Sequence, residues 1–308
     1  MKKALIYVFS GTGNTMLVAG LYKKFLTDYE TTIYQIRMEG KKFLPYPDAE
    51  EFDLIGFGHP VYGFNVPLPM NDFCNQLPEL KEKKKAFVFK TSGEGLIWNM
   101  YSSQKIIAAL TKKGYDFCTD RHIVMPYNMI FRHSPEMVKS EFIYANALVK
   151  VNAEQLMRGY RENVKIGMFR RWFVPIIRIV WIYGKLQSPF MKINKAKCTR
   201  CMRCVRNCPM QNITFNSSKG KFKFGTNCAL CVACSFGCPQ NAISIGLLNG
   251  WKVNGAYHIE NTAHDKSIAF PYFNENLKGI KRWLYYKYYR KADSLLIENN
   301  IDIEKFEI

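Results

Sequence analysis

Eight cysteines in the second half of the chain have a spacing that could support redox or metal chemistry. They form two runs of the pattern C-x2-C-x2-C-x3-C-P, and every position of the first run recurs thirty residues later. The first run is Cys198, Cys201, Cys204 and Cys208 with Pro209, and the second is Cys228, Cys231, Cys234 and Cys238 with Pro239. Three cysteines at two-residue intervals lie on one tight loop, so their thiolates can hold three corners of a cubane iron–sulfur cluster. The fourth thiolate must then come from elsewhere in the chain.

Two other roles for these cysteines explain less of the pattern. Zinc sites favour two C-x2-C pairs separated by a longer spacer, which leaves the third cysteine and the proline of each run without a role. Disulfide frameworks are typical of short secreted chains, whereas this chain has 308 residues and begins without the pattern of a signal peptide. The spacing therefore favours two [4Fe–4S] clusters.

Residues 193–248, with both cysteine runs and a polar hairpin at residues 216–220, resemble the bacterial two-cluster ferredoxin family. In that arrangement the fourth cysteine of each run ligates the cluster of the other run. The resemblance implies a cluster A held by Cys198, Cys201, Cys204 and Cys238, and a cluster B held by Cys228, Cys231, Cys234 and Cys208. The two remaining cysteines, Cys74 and Cys118, lie in apolar sequence and are expected to be buried.

A turn rich in glycine and hydroxyl groups near the N-terminus could bind a phosphate. It consists of Ser10, Gly11, Thr12, Gly13, Asn14 and Thr15. An apolar run at residues 4–9 before it predicts a buried parallel strand, and a helix is predicted from residue 16 to about residue 27. Backbone N–H groups, a helix N-terminus and hydroxyls together form a phosphate cradle.

The details of this turn narrow the choice of ligand. It contains no lysine, and Met16 replaces the third glycine of the dinucleotide fingerprint, so neither a nucleotide hydrolase nor a dinucleotide site is indicated. A terminal phosphomonoester, as in FMN, suits this neutral set of donors. The alternative is an ordinary glycine-rich turn between a strand and a helix.

Two later loops are predicted to reach the same edge of a sheet. Strands are predicted at residues 51–58, 86–90 and 115–124, and a final helix from residue 135 to about residue 160. The loops after the first two of these strands contain Pro60, Tyr62, Gly63 and Phe64, and then Ser92, Gly93 and Glu94. Because open α/β sheets bind ligands at the carboxyl ends of their strands, both loops are candidates for the same site as the first turn.

With its three loops, the segment 1–150 is similar to the flavodoxin family. The resemblance implies an α/β domain with a doubly wound, five-stranded parallel sheet and a bound FMN. It also implies that Tyr62 or Phe64 stacks on the isoalloxazine ring and that the backbone of residues 92–94 contacts the ring edge. His59 is either a flavin contact or a histidine that holds the loop. Residues 37–50 are polar and contain two prolines, so the second helix of the family is expected to be short or absent.

The remaining segments are expected to have packing roles. Residues 151–192 are predicted to form a helical connector whose stretch 168–183 is apolar apart from Arg170, Arg171 and Arg178. This stretch could pack between the domains or lie in a membrane interface. Residues 249–308 form a C-terminal extension, with a helix predicted from about residue 276 to residue 300. We expect this helix to pack across both domains rather than to bind nucleic acid, since no recognition motif appears.

The net charge of +19 is concentrated around the cysteine runs, because residues 191–248 carry nine basic residues and no acidic residue. Positive charge near a cluster favours its reduced state, and it steers acidic partners toward the protein. We therefore expect an acidic redox protein, either a ferredoxin or an oxidoreductase, as the external partner. No stretch reaches the ~20 apolar residues of a membrane-spanning helix. We expect the protein to lie in a reducing, anaerobic cytoplasm. Peripheral contact with the membrane is an option.

The whole arrangement resembles the flavodoxin–ferredoxin fusion family of anaerobes. The resemblance implies electron transfer within one chain, since clusters pass single electrons and FMN takes two. One alternative is a flavin-dependent reductase of a small molecule that is fed by the clusters. Only Glu94, Tyr62 and His59 are available as acid–base groups near the flavin, and no catalytic residue is assigned. Another alternative is a membrane-associated adaptor that delivers electrons to a larger complex.

Overall fold

A computed structural model of the protein describes residues 1–40, 42–162, 184, 186–273 and 277–308. The apolar stretch predicted at residues 168–183, with Arg170, Arg171 and Arg178, lies outside the described residues. None of the helices within these ranges is long and apolar enough to cross a membrane.

Regular elements alternate along the first half of the chain and become short in the second half. The described strands are β1 (Lys2–Val8), β2 (Tyr29–Gln35), β3 (Met38–Glu39), β4 (Lys42–Phe43), β5 (Leu54–Pro60), β6 (Lys84–Ser92), β7 (Tyr115–Val124), β8 (Lys192–Ile193), β9 (Ile213–Asn216), β10 (Lys221–Phe224) and β11 (Ile243–Ser244). The described helices are α1 (Asn14–Phe25), α2 (Leu68–Gln76), α3 (Gln104–Thr111), α4 (Pro135–Met157), α5 (Arg203–Arg206), α6 (Ala233–Phe236), α7 (Ile259–His264) and α8 (Gly279–Glu298). Short 3-10 turns lie at Ala49–Glu51, Ile97–Tyr101, Ser188–Phe190, Gly246–Trp251 and Ile303–Lys305.

The central sheet has five parallel strands in the order β2-β1-β5-β6-β7. Counted among themselves in chain order, these strands run 2-1-3-4-5, which is the flavodoxin-like order of a doubly wound sheet. Successive residues of β1 enter two different cores, with Ile6 in one and Tyr7 in the other. The apolar run at residues 4–9 is therefore buried on both faces, as predicted.

Each face of the sheet is covered by a different set of elements. Helices α1, α4 and α8 cover one face, through side chains such as Tyr22, Leu148 and Tyr289. Helices α2 and α3 cover the other face, and the cysteine-bearing domain packs into the same core through residues such as Met210 and Val232. The cysteine-bearing domain is thus joined to the sheet by an apolar interface. Cys74 and Cys118 are buried within these cores, as expected.

The second helix of the flavodoxin pattern is absent from the described residues between β2 and β5. That region forms the antiparallel pair β3–β4 and the short 3-10 turn instead. The backbone N–H of Met38 donates to the carbonyl of Pro209 at 2.9 Å, and the Asn227 side chain donates to the carbonyl of Gly40 at 2.9 Å. The space left by the missing helix is therefore used to hold the cysteine-bearing domain.

The cysteine-bearing domain repeats its own backbone conformation. Helical turn α5 follows the first cysteines of one run and α6 those of the other. Residues thirty positions apart share the left-handed region: Arg200 (φ 54°) with Leu230 (φ 53°), Met202 (59°) with Val232 (53°), and Gln211 (45°) with Asn241 (49°). Residues other than glycine seldom adopt this region. Two antiparallel pairs, β9–β10 and β8–β11, complete a small α+β domain, and the polar hairpin at residues 216–220 links two strands as predicted.

The C-terminal extension differs from the expectation in one respect. Helix α8 was expected to pack across both domains, but its described contacts are with the flavodoxin-like domain, where it contacts α4. The preceding segment bridges the two domains instead: the Tyr257 ring lies 5.9 Å from that of Phe236, and its hydroxyl donates to the carbonyl of Tyr127. Helix α4 continues to Met157, so the domain boundary placed at residue 150 falls inside a helix.

Candidate functional site

The fold brings the eight run cysteines together in two groups. Cys208, Cys228, Cys231 and Cys234 line one small cavity. Cys198, Cys201 and Cys238 are close enough to Cys204 for their charges to raise the pKa of its thiol. In each group three cysteines come from one run and the fourth from the other, which is the crossed arrangement implied by the ferredoxin resemblance. Whether each group binds a cluster remains a prediction.

The donor chemistry of both groups fits iron–sulfur clusters. Burial is the main cause that raises the thiol pKa of Cys204 to about 11 and that of Cys231 to about 12. Such thiols keep their protons at neutral pH, and iron coordination would replace the proton. Backbone N–H groups donate to the sulfurs of Cys208 and Cys238, each at 3.3 Å, which is a recognised influence on cluster potential. A single metal ion is a different case. In the described chain no three His, Cys, Asp or Glu side chains are placed so that they could hold one.

The two groups differ in their surroundings. The cavity of the second group is lined by apolar side chains, among them Met191, Ile213 and Phe224, and its Cys208 is buried. The first group includes the exposed Cys201. A cluster in the second group would therefore be enclosed by protein, whereas a cluster in the first group would lie near solvent.

A larger cavity of about 690 Å³ lies at the carboxyl edge of the central sheet. Its lining includes Ser10, Gly11, Thr12, Asn14, Thr15, Pro60, Tyr62, Gly63, Phe64, Ser92, Gly93 and Glu94. These are all the predicted flavin-site residues except Gly13, which lies on the outer side of the turn. The volume is within the range of cofactor pockets. Three loops predicted separately from the sequence thus enclose one space.

The first turn leaves its backbone donors available for a ligand. Gly13 precedes helix α1 with φ 107°, a conformation that favours glycine. The side chain of Asn14 donates to the carbonyl of Pro126 at 2.8 Å, and the hydroxyls of Thr15 and Thr91 share a hydrogen bond of 2.7 Å. No acceptor in the described chain takes the N–H of Asn14 or Thr15. These first-turn N–H groups fit the phosphate of FMN.

The second loop holds its aromatic residues in a tight turn. Tyr62 and Asn65 exchange backbone hydrogen bonds of 3.0 and 3.1 Å, and Phe64 has φ 59°. Burial raises the pKa of Tyr62, and the nearby Cys231 and Cys228 raise it further. Tyr62 therefore lies beside the second cysteine group and lines the cavity with it.

His59 holds the loop and does not line the cavity. One ring nitrogen lies 3.0 Å from the carbonyl of Pro60 and the other 3.3 Å from the Ser103 hydroxyl. Of the two roles considered for this histidine, the described contacts support the structural one.

The third loop is fixed by a buried polar network. The Ser92 hydroxyl donates to the carbonyl of Glu94 at 2.6 Å, and the Asn99 side chain donates to the Glu94 carboxylate at 2.7 Å. The Tyr127 ring packs on Gly93, where an added Cβ would lie 2.1 Å from the ring. Burial raises the pKa of Tyr127, and the charge of Glu94 and a hydrogen bond to its side chain raise it further. Gly93 is needed because any side chain would displace Tyr127.

Sequence reasoning missed several residues of this cavity. Residues 126–130 follow strand β7, and Trp251 belongs to the C-terminal extension. Residues 126–130 could have been found, since they follow a strand at the same edge of the sheet. Nothing in the local sequence indicates Trp251.

The loop of the second cysteine group forms one wall of the large cavity. Cys228, Ala229, Leu230, Cys231 and Val232 all line it. A Cβ added at Gly11 would lie 2.6 Å from the Cβ of Cys231 and 3.2 Å from its sulfur. The absence of a side chain at Gly11 lets the first turn contact a cysteine of the other domain.

Comparisons with known proteins give separate matches for the two halves of the chain. Residues 197–243 match the family model of the 4Fe-4S dicluster domain. No curated protein matches the chain significantly. Similar solved structures include a flavodoxin of Streptococcus pneumoniae TIGR4 (18% identity, TM-score 0.37, covering 51% of this chain and 98% of that one). A flavoprotein in complex with FMN from Lactobacillus acidophilus is 15% identical, with a TM-score of 0.32 and coverage of 40% and 93%.

The strand order and the dicluster match together define a class of protein in which a flavodoxin-like domain precedes an iron–sulfur domain. This arrangement supports the resemblance to the flavodoxin–ferredoxin fusions. The fold class inferred from the sequence is thereby confirmed, including the helical C-terminal extension. The match to the 4Fe-4S dicluster domain supports an electron-transfer role.

Proposed function

We propose that the protein passes electrons between two [4Fe–4S] clusters and FMN within one chain. The observation that carries the proposal is the shared wall of the large cavity, where the Cys231 loop meets the phosphate-binding turn at Gly11. When bound, the clusters exchange single electrons and FMN accepts two. A protein with both groups can therefore convert between one-electron and two-electron traffic.

The residues of the chain hold the cofactors and exclude water. Cys208, Cys228, Cys231 and Cys234 would hold cluster B, and Cys198, Cys201, Cys204 and Cys238 would hold cluster A. The N–H groups of the first turn would hold the FMN phosphate. Tyr62 and Val232 would separate FMN from cluster B with protein rather than solvent. Cys208 of the second group is buried and Cys201 of the first is exposed, and the second group borders the large cavity. These positions support an order of cluster A, cluster B and FMN.

An anaerobic reductive titration of the reconstituted protein tests the proposal. Two clusters and one FMN should accept about four electrons per chain, one for each cluster and two for the flavin. Chemical analysis of iron, sulfide and released flavin on the same sample provides the control. Uptake near two electrons, with no flavin released on denaturation, would mean that the flavodoxin-like domain only holds the iron–sulfur domain in place.

A second candidate function is a flavin-dependent reductase of a small molecule. It is favoured by the Glu94 carboxylate, which faces the large cavity and is hydrogen-bonded to Tyr127. The cavity mouth is also apolar, with Ile130 and Trp251 lining it while 57% and 60% exposed. Steady turnover with one small acceptor would favour this function over that of a carrier.

A further inference from the structure

The iron–sulfur domain presents an unneutralised positive surface. All nine of its basic residues are exposed, namely Lys192, Lys195, Lys197, Arg200, Arg203, Arg206, Lys219, Lys221 and Lys223. The domain has no acidic residue, and none of the nine forms an ion pair with a carboxylate in the described chain. A positive potential therefore extends into the solvent, over a Debye length of about 8 Å at physiological salt.

Five of these residues are interspersed along the chain with the first cysteine group, which contains the exposed Cys201. Lys195, Lys197, Arg200, Arg203 and Arg206 alternate with Cys198, Cys201 and Cys204, and we call them the cluster-A face. The Arg206 guanidinium donates to the carbonyl of Cys201 at 2.9 Å, so one positive group is held directly on the cysteine loop.

The second cysteine loop has the opposite character. Residues 228–238 contain no charged side chain, and the first part of this loop forms the wall of the large cavity. Positive charge is therefore concentrated at the solvent-facing end of the proposed electron path.

We infer that the cluster-A face is a docking surface for a small acidic electron-carrier protein. This inference rests on the proposed function and names its external partner. In each encounter one electron leaves the reduced carrier and enters this protein, and no covalent bond is made or broken. Charge complementarity would orient the carrier so that its redox centre approaches the exposed Cys201.

The chemistry of the face favours a protein over a nucleic acid. Single-stranded nucleic acids bind basic grooves that also offer aromatic rings for base stacking. Residues 194–206 contain no aromatic side chain. The nearby Phe215 and Phe222 pack on each other, with centroids 4.7 Å apart. The cluster-A face instead alternates in sequence with a cysteine group, which suits electron exchange with a protein.

The test compares two triple variants of the full, reconstituted chain. The first, Lys197→Gln/Arg200→Gln/Arg203→Gln, removes charge from the cluster-A face and keeps Arg206 on its carbonyl. The matched control, Lys23→Gln/Lys105→Gln/Lys112→Gln, removes three exposed charges from the flavodoxin-like domain. The probe is a small acidic 2[4Fe–4S] ferredoxin. Its affinity is measured in the oxidised form, and its rate of electron delivery in the reduced form, across a range of salt concentrations.

We expect the face variant to lose at least about tenfold in affinity and association rate at low salt, with a weaker dependence on salt. The control should change by less than about twofold. Equal losses in the two variants would overturn the inference, because net charge alone would then explain binding. It would also be overturned if the face variant lost affinity for a single-stranded RNA probe but kept its affinity for ferredoxin.

The outcome also separates this inference from the proposed function. Reduction of the protein by a small neutral photoreductant bypasses docking. Suppose that FMN is reduced by this route but the face variant binds ferredoxin as tightly as the wild type does. The inferred docking surface is then wrong, and the proposed internal electron path is supported. If ferredoxin binds through the face but FMN stays oxidised by both routes, the proposed function is wrong and the docking surface remains.

Discussion

Gly11 lies at a close contact between the two domains. Its Cα lies so close to Cys231 that an added Cβ would be 2.6 Å from the Cβ and 3.0 Å from the carbonyl oxygen of that residue. The neighbouring atoms belong to a backbone and a short side chain, so the crowding cannot be relieved by rotating a flexible group. Gly20, in the middle of helix α1, has nothing within 4 Å of an added Cβ.

We expect Gly11→Ala to separate the first turn from the Cys231 loop. Overpacking of this kind costs about 1–3 kcal/mol, and the rate of FMN reduction through the clusters should fall by about tenfold. Gly20→Ala is the matched control and should keep the rate, with unchanged or slightly raised stability. Transient absorption after photoreduction measures the rate, and urea unfolding measures the stability. Identical rates in the two variants would show that the Gly11 contact does not contribute to the path.

At the scale of elements, the carboxyl edge of the sheet contains a buried ion pair with two histidines beside it. Lys90 is 1% exposed and pairs with Asp120 at 2.7 Å, which joins strands β6 and β7. His59 and His122 lie beside this pair, and burial together with the positive charge of Lys90 lowers the pKa of each imidazole to about 3. Both histidines are therefore neutral in the folded protein at any physiological pH.

These two histidines predict a loss of stability in mild acid. The folded-state pKa is lowered, so only the unfolded state takes up protons between pH 6.5 and pH 3. Stability should be flat above pH 7 and should fall by about 1.4 kcal/mol per histidine between pH 7.5 and pH 5.5. Urea unfolding at several pH values measures this, with the visible absorbance of the clusters as a check on their integrity.

Variants of single histidines isolate this effect. His59→Gln should remove about half of the pH dependence expected from the pair. His264→Gln, at an exposed position of helix α7, should leave it unchanged. A His59→Gln protein with the full pH dependence of the wild type would assign the acid sensitivity to other groups.

At the scale of the whole molecule, local sequence predicted the parts better than their assembly. Residues that are near neighbours in the chain determine the cysteine runs, the glycine turn and strand β7. Their spacing or apolar pattern was therefore enough to predict these features. The Cys231 loop as a cavity wall, the position of Trp251 and the packing of helix α8 depend on contacts across the two domains. Such contacts depend on how the folded surfaces fit together, so no local sequence motif predicts them.

The C-terminal extension is part of the cavity in this assembly. The Tyr285 hydroxyl donates to the carbonyl of Gly93 at 2.8 Å and lies 3.1 Å from the ring of His133. His133 in turn contacts the buried Glu141 at 2.8 Å, and the backbone N–H of Gly95 donates to the carbonyl of Leu284 at 2.9 Å. Helix α8 therefore holds the third cavity loop in place through hydrogen bonds to Gly93 and Gly95.

We expect Tyr285→Phe to loosen this loop and weaken FMN binding. Loss of one buried hydrogen bond is worth about 0.5–1.5 kcal/mol, which corresponds to a rise in the FMN Kd of roughly two- to tenfold. Tyr286→Phe is the matched control on the same helix, because the Tyr286 ring contacts Arg282 and Arg290 near the surface rather than the cavity loop. Quenching of FMN fluorescence measures the Kd, and urea unfolding measures stability. If Tyr285→Phe lowers stability but leaves the Kd equal to that of the control, helix α8 supports the fold without shaping the flavin site.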